Sequence, residues 1–119
     1  MIVTAGGKNV YPEDVEIAFN GISDCLEHAV FAANYVWPTG KLTGEQLMVV
    51  LRPKDTSSAP HIVETIRERN LRLSDYKRLS GYILWEKEFP RTASMKLKRD
   101  LLAKELRETL RREDGWKDL

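Results

Sequence analysis

Two short apolar runs separated by a turn-rich segment place the tightest constraint on how this chain folds. Residues 29–35, AVFAANY, and residues 46–51, QLMVVL, are apolar nearly throughout. Their length is typical of buried strands. The segment between them, residues 38–44, contains one proline and two glycines. This spacing favours an antiparallel pair joined as a hairpin.

Three segments with helical spacing accompany these strands. The first begins at Pro12, which suits a first helical turn, and it ends before Gly21. The second covers residues 61–70, and the third covers residues 97–112 with its leucines on one face. A third strand is predicted over residues 81–86. The order predicts an α+β domain in which a small sheet of about three strands is covered by helices.

Composition excludes several classes of protein. The 119 residues suffice for one domain, and 19 basic against 18 acidic side chains give a net charge of +1. This balance excludes a chain-wide electrostatic binder of nucleic acid. The single cysteine, Cys25, excludes an intramolecular disulfide and a cysteine-rich zinc site, and it favours a reducing compartment. We expect no transmembrane segment, because no apolar run approaches about 18 residues. We also expect no signal peptide, because residues 1–7 have no basic n-region and no long apolar h-region.

Positive charge is concentrated in the C-terminal quarter of the chain. Residues 90–119 carry nine basic and six acidic side chains, whereas residues 1–60 carry four and seven. Within this quarter, four cations crowd the segment 89–99, and they are Arg91, Lys96, Lys98 and Arg99. Such a loop could deliver a cation to a phosphate or carboxylate as negative charge develops there. An ordinary solvated surface is the alternative, and spacing alone leaves both open.

A pair of glycines precedes the first helix. Gly6 and Gly7, followed by Lys8 and Asn9, would let the backbone approach a ligand closely or adopt a positive φ. The segment is not a phosphate-binding Walker loop, since no Gly-Lys-Ser/Thr follows at the required spacing. An ordinary turn is the alternative. His28, His61 and Cys25 have no partners at metal-ligand or catalytic spacing, so we interpret them as structural residues.

Two signatures about 80 residues apart resemble one known family. Residues 2–16, IVTAGGKNVYPEDVE, resemble the opening of the C-terminal domain of acyl-CoA synthetases in the adenylate-forming superfamily. Residues 89–99, FPRTASMKLKR, resemble the closing signature of that domain, and residues 44–47, GEQL, match its middle. With the YKR of residues 76–78, these segments look most like long- or medium-chain fatty-acyl-CoA ligases.

The resemblance implies a two-step reaction in fatty acid metabolism. A fatty acid attacks Mg-ATP to give acyl-adenylate and pyrophosphate, and the thiol of CoA then displaces AMP. Lys96 matches the family's adenylation lysine, and Arg91 is expected to contact the CoA channel or a phosphate. The resemblance also implies a loop beside the CoA channel, which matches Gly6, Gly7, Lys8 and Asn9. Met95 departs from the family pattern, because glycine usually stands before the lysine. We expect its Cβ to limit backbone freedom there.

The resemblance also sets expectations for domains and partners. Residues 1–119 would be one mobile C-terminal domain of a larger enzyme, whose N-terminal nucleotide-binding domain holds most of the ATP, CoA and Mg²⁺ contacts. The isolated chain is expected to be inactive, and the enzyme is expected in the cytoplasm, either free or peripheral to a membrane. Two alternatives stay open: an aryl-CoA ligase, and a non-catalytic stand-alone binding domain. A nucleic-acid module is disfavoured by the net charge.

Overall fold

The computed structural model describes residues 2–3, 7–38 and 45–119. The strands are β1 (Ile2–Val3), β2 (Asn9–Val10), β3 (Cys25–Ala32), β4 (Leu47–Pro53), β5 (Leu79–Leu84) and β6 (Lys117–Asp118). The helices are α1 (Pro12–Ile17), α2 (Ala33–Val36), α3 (Ala59–Asn70), α4 (Arg99–Thr109) and α5 (Arg112–Gly115). Short 3₁₀ turns occupy Thr56–Ser58 and Asp75–Lys77.

A four-stranded mixed sheet forms the centre of the fold. Its order is β3-β4-β5-β6, with β3–β4 antiparallel, β4–β5 parallel and β5–β6 antiparallel. The parallel step is possible because α3 crosses from the end of β4 to the start of β5. A separate two-stranded antiparallel sheet pairs β1 with β2, with Ile2 opposite Val10. The fold is therefore α+β, as the order of elements predicted.

Each face of the sheet carries its own hydrophobic cluster. The first cluster joins α1 and α3 to one face, and its buried members include Val15, Phe19, Val49, Ile62 and Ile66. The second cluster joins α4 to the other face, and its buried members include Phe31, Val50, Ile83, Leu102 and Leu106. Alternate residues of β3 and β4 enter opposite clusters, which follows from the two-residue period of a strand. The sheet is thus covered by helices on both faces.

The predicted antiparallel pair is confirmed, although its first strand was misplaced. That strand covers Cys25–Ala32 instead of 29–35, and residues 33–36 form a helical turn. The turn forms because the N–H of Ala33 binds the carbonyl of Gln46 at 2.8 Å while the N–H of Trp37 closes back on Ala33 at 2.9 Å. The start of β3 lacks a continuous apolar run, which hid it in the sequence. Residues 39–44 of the predicted connection lie outside the described residues.

The remaining boundaries and the strand count also needed correction. The predicted strand 81–86 is Leu79–Leu84, and the predicted helix 97–112 ends at Thr109. The sheet has four strands instead of about three, because β6 returns to pair with β5. Trp116 makes this closure possible by packing on Gly81, where a Cβ would lie 2.3 Å from the indole Cε2. No helix in the described part of the chain is long and apolar enough to span a bilayer.

Candidate functional site: a fixed lysine hairpin and a glycine loop

The basic segment that the sequence predicted to be an irregular loop forms a tight hairpin. Arg91 pairs with Leu97 in an antiparallel bridge, and the N–H of Thr92 donates to the carbonyl of Lys96 at 2.9 Å. These bonds define two short arms with a three-residue turn, residues 93–95, between them. We call residues 90–98 the lysine hairpin. The position of Lys96 is therefore set by paired backbone and is not that of an unstructured loop.

Met95 completes the turn in a conformation that favours glycine. Its φ is +68°, and its N–H donates to the carbonyl of Thr92 at 2.9 Å. A type I turn followed by one left-handed residue is a common three-residue hairpin, and glycine usually fills the left-handed position. This geometry gives a physical reason for the glycine that usually precedes the lysine in the resembled signature. Methionine adopts the required conformation here at a steric cost of about 1 to 2 kcal/mol.

The side chain of Lys96 extends from this turn into solvent. Lys96 is exposed, and no ion pair of the described residues includes its ammonium group. Its backbone N–H donates to Thr92 Oγ1 at 3.1 Å, and Thr92 Oγ1 lies 3.0 Å from Ser94 Oγ. A fixed backbone thus carries a flexible, strongly hydrated cation. This combination can present positive charge to an anion without first breaking an internal salt bridge.

A nearly buried carboxylate anchors the first arm of the hairpin. Glu27 in β3, whose side chain is 13% exposed, accepts from Arg91 Nε at 2.9 Å and from the N–H of Phe89 at 2.9 Å. Arg52 adds a third bond, at 3.1 Å from Nη1 to Glu27 Oε2. Arg91 also donates from Nη1 to the carbonyl of Met95 at 3.0 Å. The sequence patterns did not identify Glu27 as a site residue. Its only local indication was an acidic residue just before the predicted apolar strand.

A second ion pair fixes the chain just after the hairpin. Arg99, the first residue of α4, places Nη1 2.7 Å from Glu16 Oε1 and its guanidinium carbon 4.8 Å from the centre of the Phe31 ring. It also donates to the carbonyl of Val30, whose own N–H binds Glu16 Oε1 at 2.8 Å. This pair joins the start of α4, one residue beyond the hairpin, to α1, whereas the pair of Glu27 and Arg91 lies at the hairpin's first arm.

The predicted glycine loop is described in part. Gly6 lies outside the described residues, whereas Gly7, Lys8 and Asn9 are exposed and lead into β2. Gly7 has a φ of +77°, and a Cβ built there would meet no atom of the described residues within 4 Å. Lys8 Nζ lies 6.0 Å from the centre of the Tyr76 ring. The backbone at Gly7 is therefore open to close approach by a ligand.

The glycine loop and the lysine hairpin border different faces of the sheet. Val10, which follows the glycine loop, belongs to the hydrophobic cluster under α1 and α3. Phe89, which precedes the hairpin, and Leu97 within it belong to the cluster under α4. Arg91 and Lys96 are brought together in one hairpin, but Gly7 is attached to the other side of the core.

The histidines and the cysteine have structural partners. His28 Nε2 lies 3.0 Å from the carbonyl oxygen of Glu16, and His61 Nε2 lies 3.2 Å from Asp24 Oδ2. Burial raises the pKa of the Cys25 thiol above its ordinary value, which disfavours the reactive thiolate. Within the described ranges, no group of three or more His, Cys, Asp or Glu residues is arranged to hold a metal ion.

Solved structures of CoA synthetases are similar to almost the whole chain. The o-succinylbenzoate CoA synthetase of Bacillus subtilis, bound to a product analogue, is 26% identical over 99% of the chain, with a TM-score of 0.60. The fatty acyl CoA synthetase of Mycobacterium tuberculosis is 28% identical over 93%, with a TM-score of 0.65. An ATP-bound chimera, RpMatB-BxBclM, shares the fold at 21% identity over 93%, with a TM-score of 0.64. No protein-family model and no curated protein matches the chain.

These similarities support the adenylate-forming superfamily that the two signatures indicated. The fold matches the C-terminal domain of adenylate-forming enzymes, so that prediction is confirmed. The chain spans 20 to 21% of the length of each of these three structures.

Proposed function

We propose that this chain is the mobile C-terminal domain, residues 1–119, of an ATP-dependent, AMP-forming acyl-CoA ligase that acts on fatty acids. Its own N-terminal nucleotide-binding domain would supply most of the active site, and the chain alone would be inactive. A cytoplasmic location, expected from the single cysteine, is part of the same proposal. The observation that carries it is the anchored hairpin, which holds an exposed Lys96, without an ion pair among the described residues, at the position of the resembled signature.

Lys96 would act in the first half-reaction. The attack of a carboxylate on the α-phosphate of ATP crowds negative charge from both reactants into one region. A compact ammonium group placed between them lowers the barrier because it stabilises that charge as it develops. Holding the hairpin backbone in place reduces the entropy lost when the cation is aligned.

The glycine loop would act in the second half-reaction. A thiol on a long pantetheine arm must reach the acyl-adenylate through a narrow channel. The protein backbone that borders this channel must therefore carry little side-chain bulk. Gly7 supplies an open, left-handed backbone for such an approach. Because this loop and the hairpin border different faces of the sheet, a rotation of the whole domain could exchange one for the other.

The residues present fit ATP and CoA as substrates in different degrees. The Lys96 ammonium suits a phosphate, and the free surface at Gly7 suits a pantetheine chain. Arg91 uses Nε and Nη1 within the protein, on Glu27 and Met95. Any contribution of Arg91 to a phosphate would therefore come from its remaining N–H donors, the second one on Nη1 and the two on Nη2. Mg²⁺ would be held by the nucleotide-binding domain together with ATP.

A crossed pair of substitutions in the full-length enzyme tests this assignment. Lys96→Ala should reduce acyl-adenylate formation, measured by fatty-acid-dependent pyrophosphate exchange, and spare thioester formation from supplied acyl-adenylate. Gly7→Val should do the reverse, because a branched side chain would narrow the channel. Gly21→Val is the matched control, since Gly21 also has a positive φ, +74°, and open space around it. Equal loss in both half-reactions for Lys96→Ala and Gly7→Val would contradict the proposal.

An aryl-CoA ligase is the second candidate for the substrate. The observation in its favour is the 26% identity to the o-succinylbenzoate enzyme over 99% of the chain, against 28% over 93% for the fatty acyl enzyme. Pyrophosphate exchange with a panel of fatty acids and aromatic acids separates the two. A preference for aromatic acids by the full-length enzyme would overturn the fatty-acid assignment and leave the roles of Lys96 and Gly7 intact.

A further inference from the structure

Both ends of the peptide unit that precedes the Lys96 side chain are held by hydrogen bonds. The carbonyl of Met95 accepts from Arg91 Nη1 at 3.0 Å, and the N–H of Lys96 donates to Thr92 Oγ1 at 3.1 Å. Fixing the C=O and the N–H of one peptide sets the direction in which the next side chain leaves the backbone. Arg91 therefore influences Lys96 without touching its ammonium group.

Arg91 is in turn oriented by Glu27. A guanidinium that bonds through Nε and Nη1 in two directions has little rotational freedom left. Glu27 lies beside a register shift in β3, between Cys25 and Glu27, where the strand departs from regular pairing with β4. Such bulges re-aim side chains, here toward the hairpin. The carboxylate also accepts from the N–H of Phe89, so one of its three partners lies in the first arm of the hairpin and a second lies one residue before the hairpin.

Electrostatics favours a charged Glu27 over a neutral replacement. Its side chain is 13% exposed and faces two guanidinium groups, those of Arg52 and Arg91. Removing the negative charge would leave Arg91 without its carboxylate partner and Arg52 with only its 4.0 Å contact to Glu88. Arg91 would then be free to turn toward solvent, and the carbonyl of Met95 would lose its donor.

We infer that Glu27 is a positioning residue for Lys96, acting through Arg91 on the Met95–Lys96 peptide. The inference rests on the proposed function, because it assigns Glu27 to the adenylation half-reaction alone. Glu16 provides a matched comparison. It is a partly buried glutamate whose side chain is 19% exposed. Its ion-pair partner, Arg99, lies one residue beyond the hairpin.

The test uses the full-length enzyme with Glu27→Gln and Glu16→Gln, each alone and combined with Lys96→Ala. Glu27→Gln should lower kcat for adenylation about 10- to 100-fold, the loss expected when a reacting group shifts by about 1 Å. KM for ATP and the thioester half-reaction should stay near their unmodified values. Glu16→Gln should leave both half-reactions close to normal. In the Lys96→Ala background, Glu27→Gln should cause no further loss, because its effect passes through Lys96.

The possible results distinguish a failure of the positioning role from a failure of the proposed function. If Lys96→Ala lowers adenylation but Glu27→Gln does not, the positioning role is wrong and the proposed function stands. If Glu27→Gln lowers both half-reactions, or lowers adenylation further in the Lys96→Ala background, Glu27 serves the fold generally and the inference is overturned. If Lys96→Ala leaves adenylation intact, the proposed function fails and the inference fails with it.

Discussion

Thr92 and Lys96 are joined twice across the lysine hairpin. The N–H of Thr92 donates to the carbonyl of Lys96 at 2.9 Å, and the N–H of Lys96 donates back to Thr92 Oγ1 at 3.1 Å. The second bond needs a hydroxyl at position 92. A short polar side chain four residues before the lysine thus helps fix the lysine's backbone.

Thr92→Val should weaken adenylation without unfolding the protein. Valine keeps the shape of threonine but leaves the N–H of Lys96 without its side-chain acceptor, a loss of about 0.5 to 1.5 kcal/mol. We expect a several-fold lower rate of pyrophosphate exchange in the full-length enzyme, with the thioester half-reaction unchanged. Thr92→Ser retains the hydroxyl and should preserve the rate. A normal rate for Thr92→Val would show that this bond is dispensable.

Met95→Gly should stabilise the hairpin. Glycine removes a penalty of about 1 to 2 kcal/mol for φ near +68°. The greater conformational freedom of glycine in the unfolded chain offsets about 0.5 to 1 kcal/mol of this stabilisation. We therefore expect a net gain of up to about 1 kcal/mol in the free energy of unfolding, measured by urea denaturation.

Ala93→Gly is the control for this stabilisation. Ala93 lies in the same turn and does not have a positive φ, so glycine there should cost about 0.5 to 1 kcal/mol. Destabilisation by both substitutions to the same extent would contradict the strain assigned to Met95.

Gly81→Ala should destabilise the sheet edge that β6 closes. A Cβ at position 81 would lie 2.3 Å from Trp116 Cε2, so the indole or the strand must move. We expect this movement to lower the free energy of unfolding by about 1 to 3 kcal/mol. Gly115→Ala should cost less, because its nearest neighbour, at 3.0 Å, is the flexible end of Leu110. Urea denaturation of both variants measures the difference.

The partner of Gly81 can be verified by a double substitution. If the clash is with Trp116, then Trp116→Ala should relieve it, and the double variant should lose less free energy of unfolding than the sum of the single losses. Strict additivity would show that the two residues do not interact.

Local sequence patterns predicted the order of the larger elements. Pro12 marked the start of α1, and the leucines of α4 marked its buried face. The runs of apolar residues predicted that β3 and β4 pair as antiparallel strands. These features depend on neighbours in sequence, which is why periodicity finds them.

Contacts between distant residues could not be predicted in the same way. Glu27 and Arg91 are 64 positions apart, so no spacing rule connects them. The hairpin was hidden because Met95 occupies the left-handed position where glycine would have signalled a turn. Strands β1, β2 and β6 have two residues each, too few to show an alternating pattern. Lys96 itself was found through its resemblance to a family signature, and spacing alone left its role open.

Two lysines of the same segment allow a direct test of the adenylation role of Lys96. Lys96 and Lys98 are both exposed and two residues apart, and the proposed function gives only Lys96 a role in adenylation. In the full-length enzyme, the rates of fatty-acid-dependent pyrophosphate exchange should be measured for Lys96→Ala and Lys98→Ala. We expect a loss of about 100-fold or more for Lys96→Ala and little change for Lys98→Ala. Similar rates for the two variants would contradict the adenylation role of Lys96.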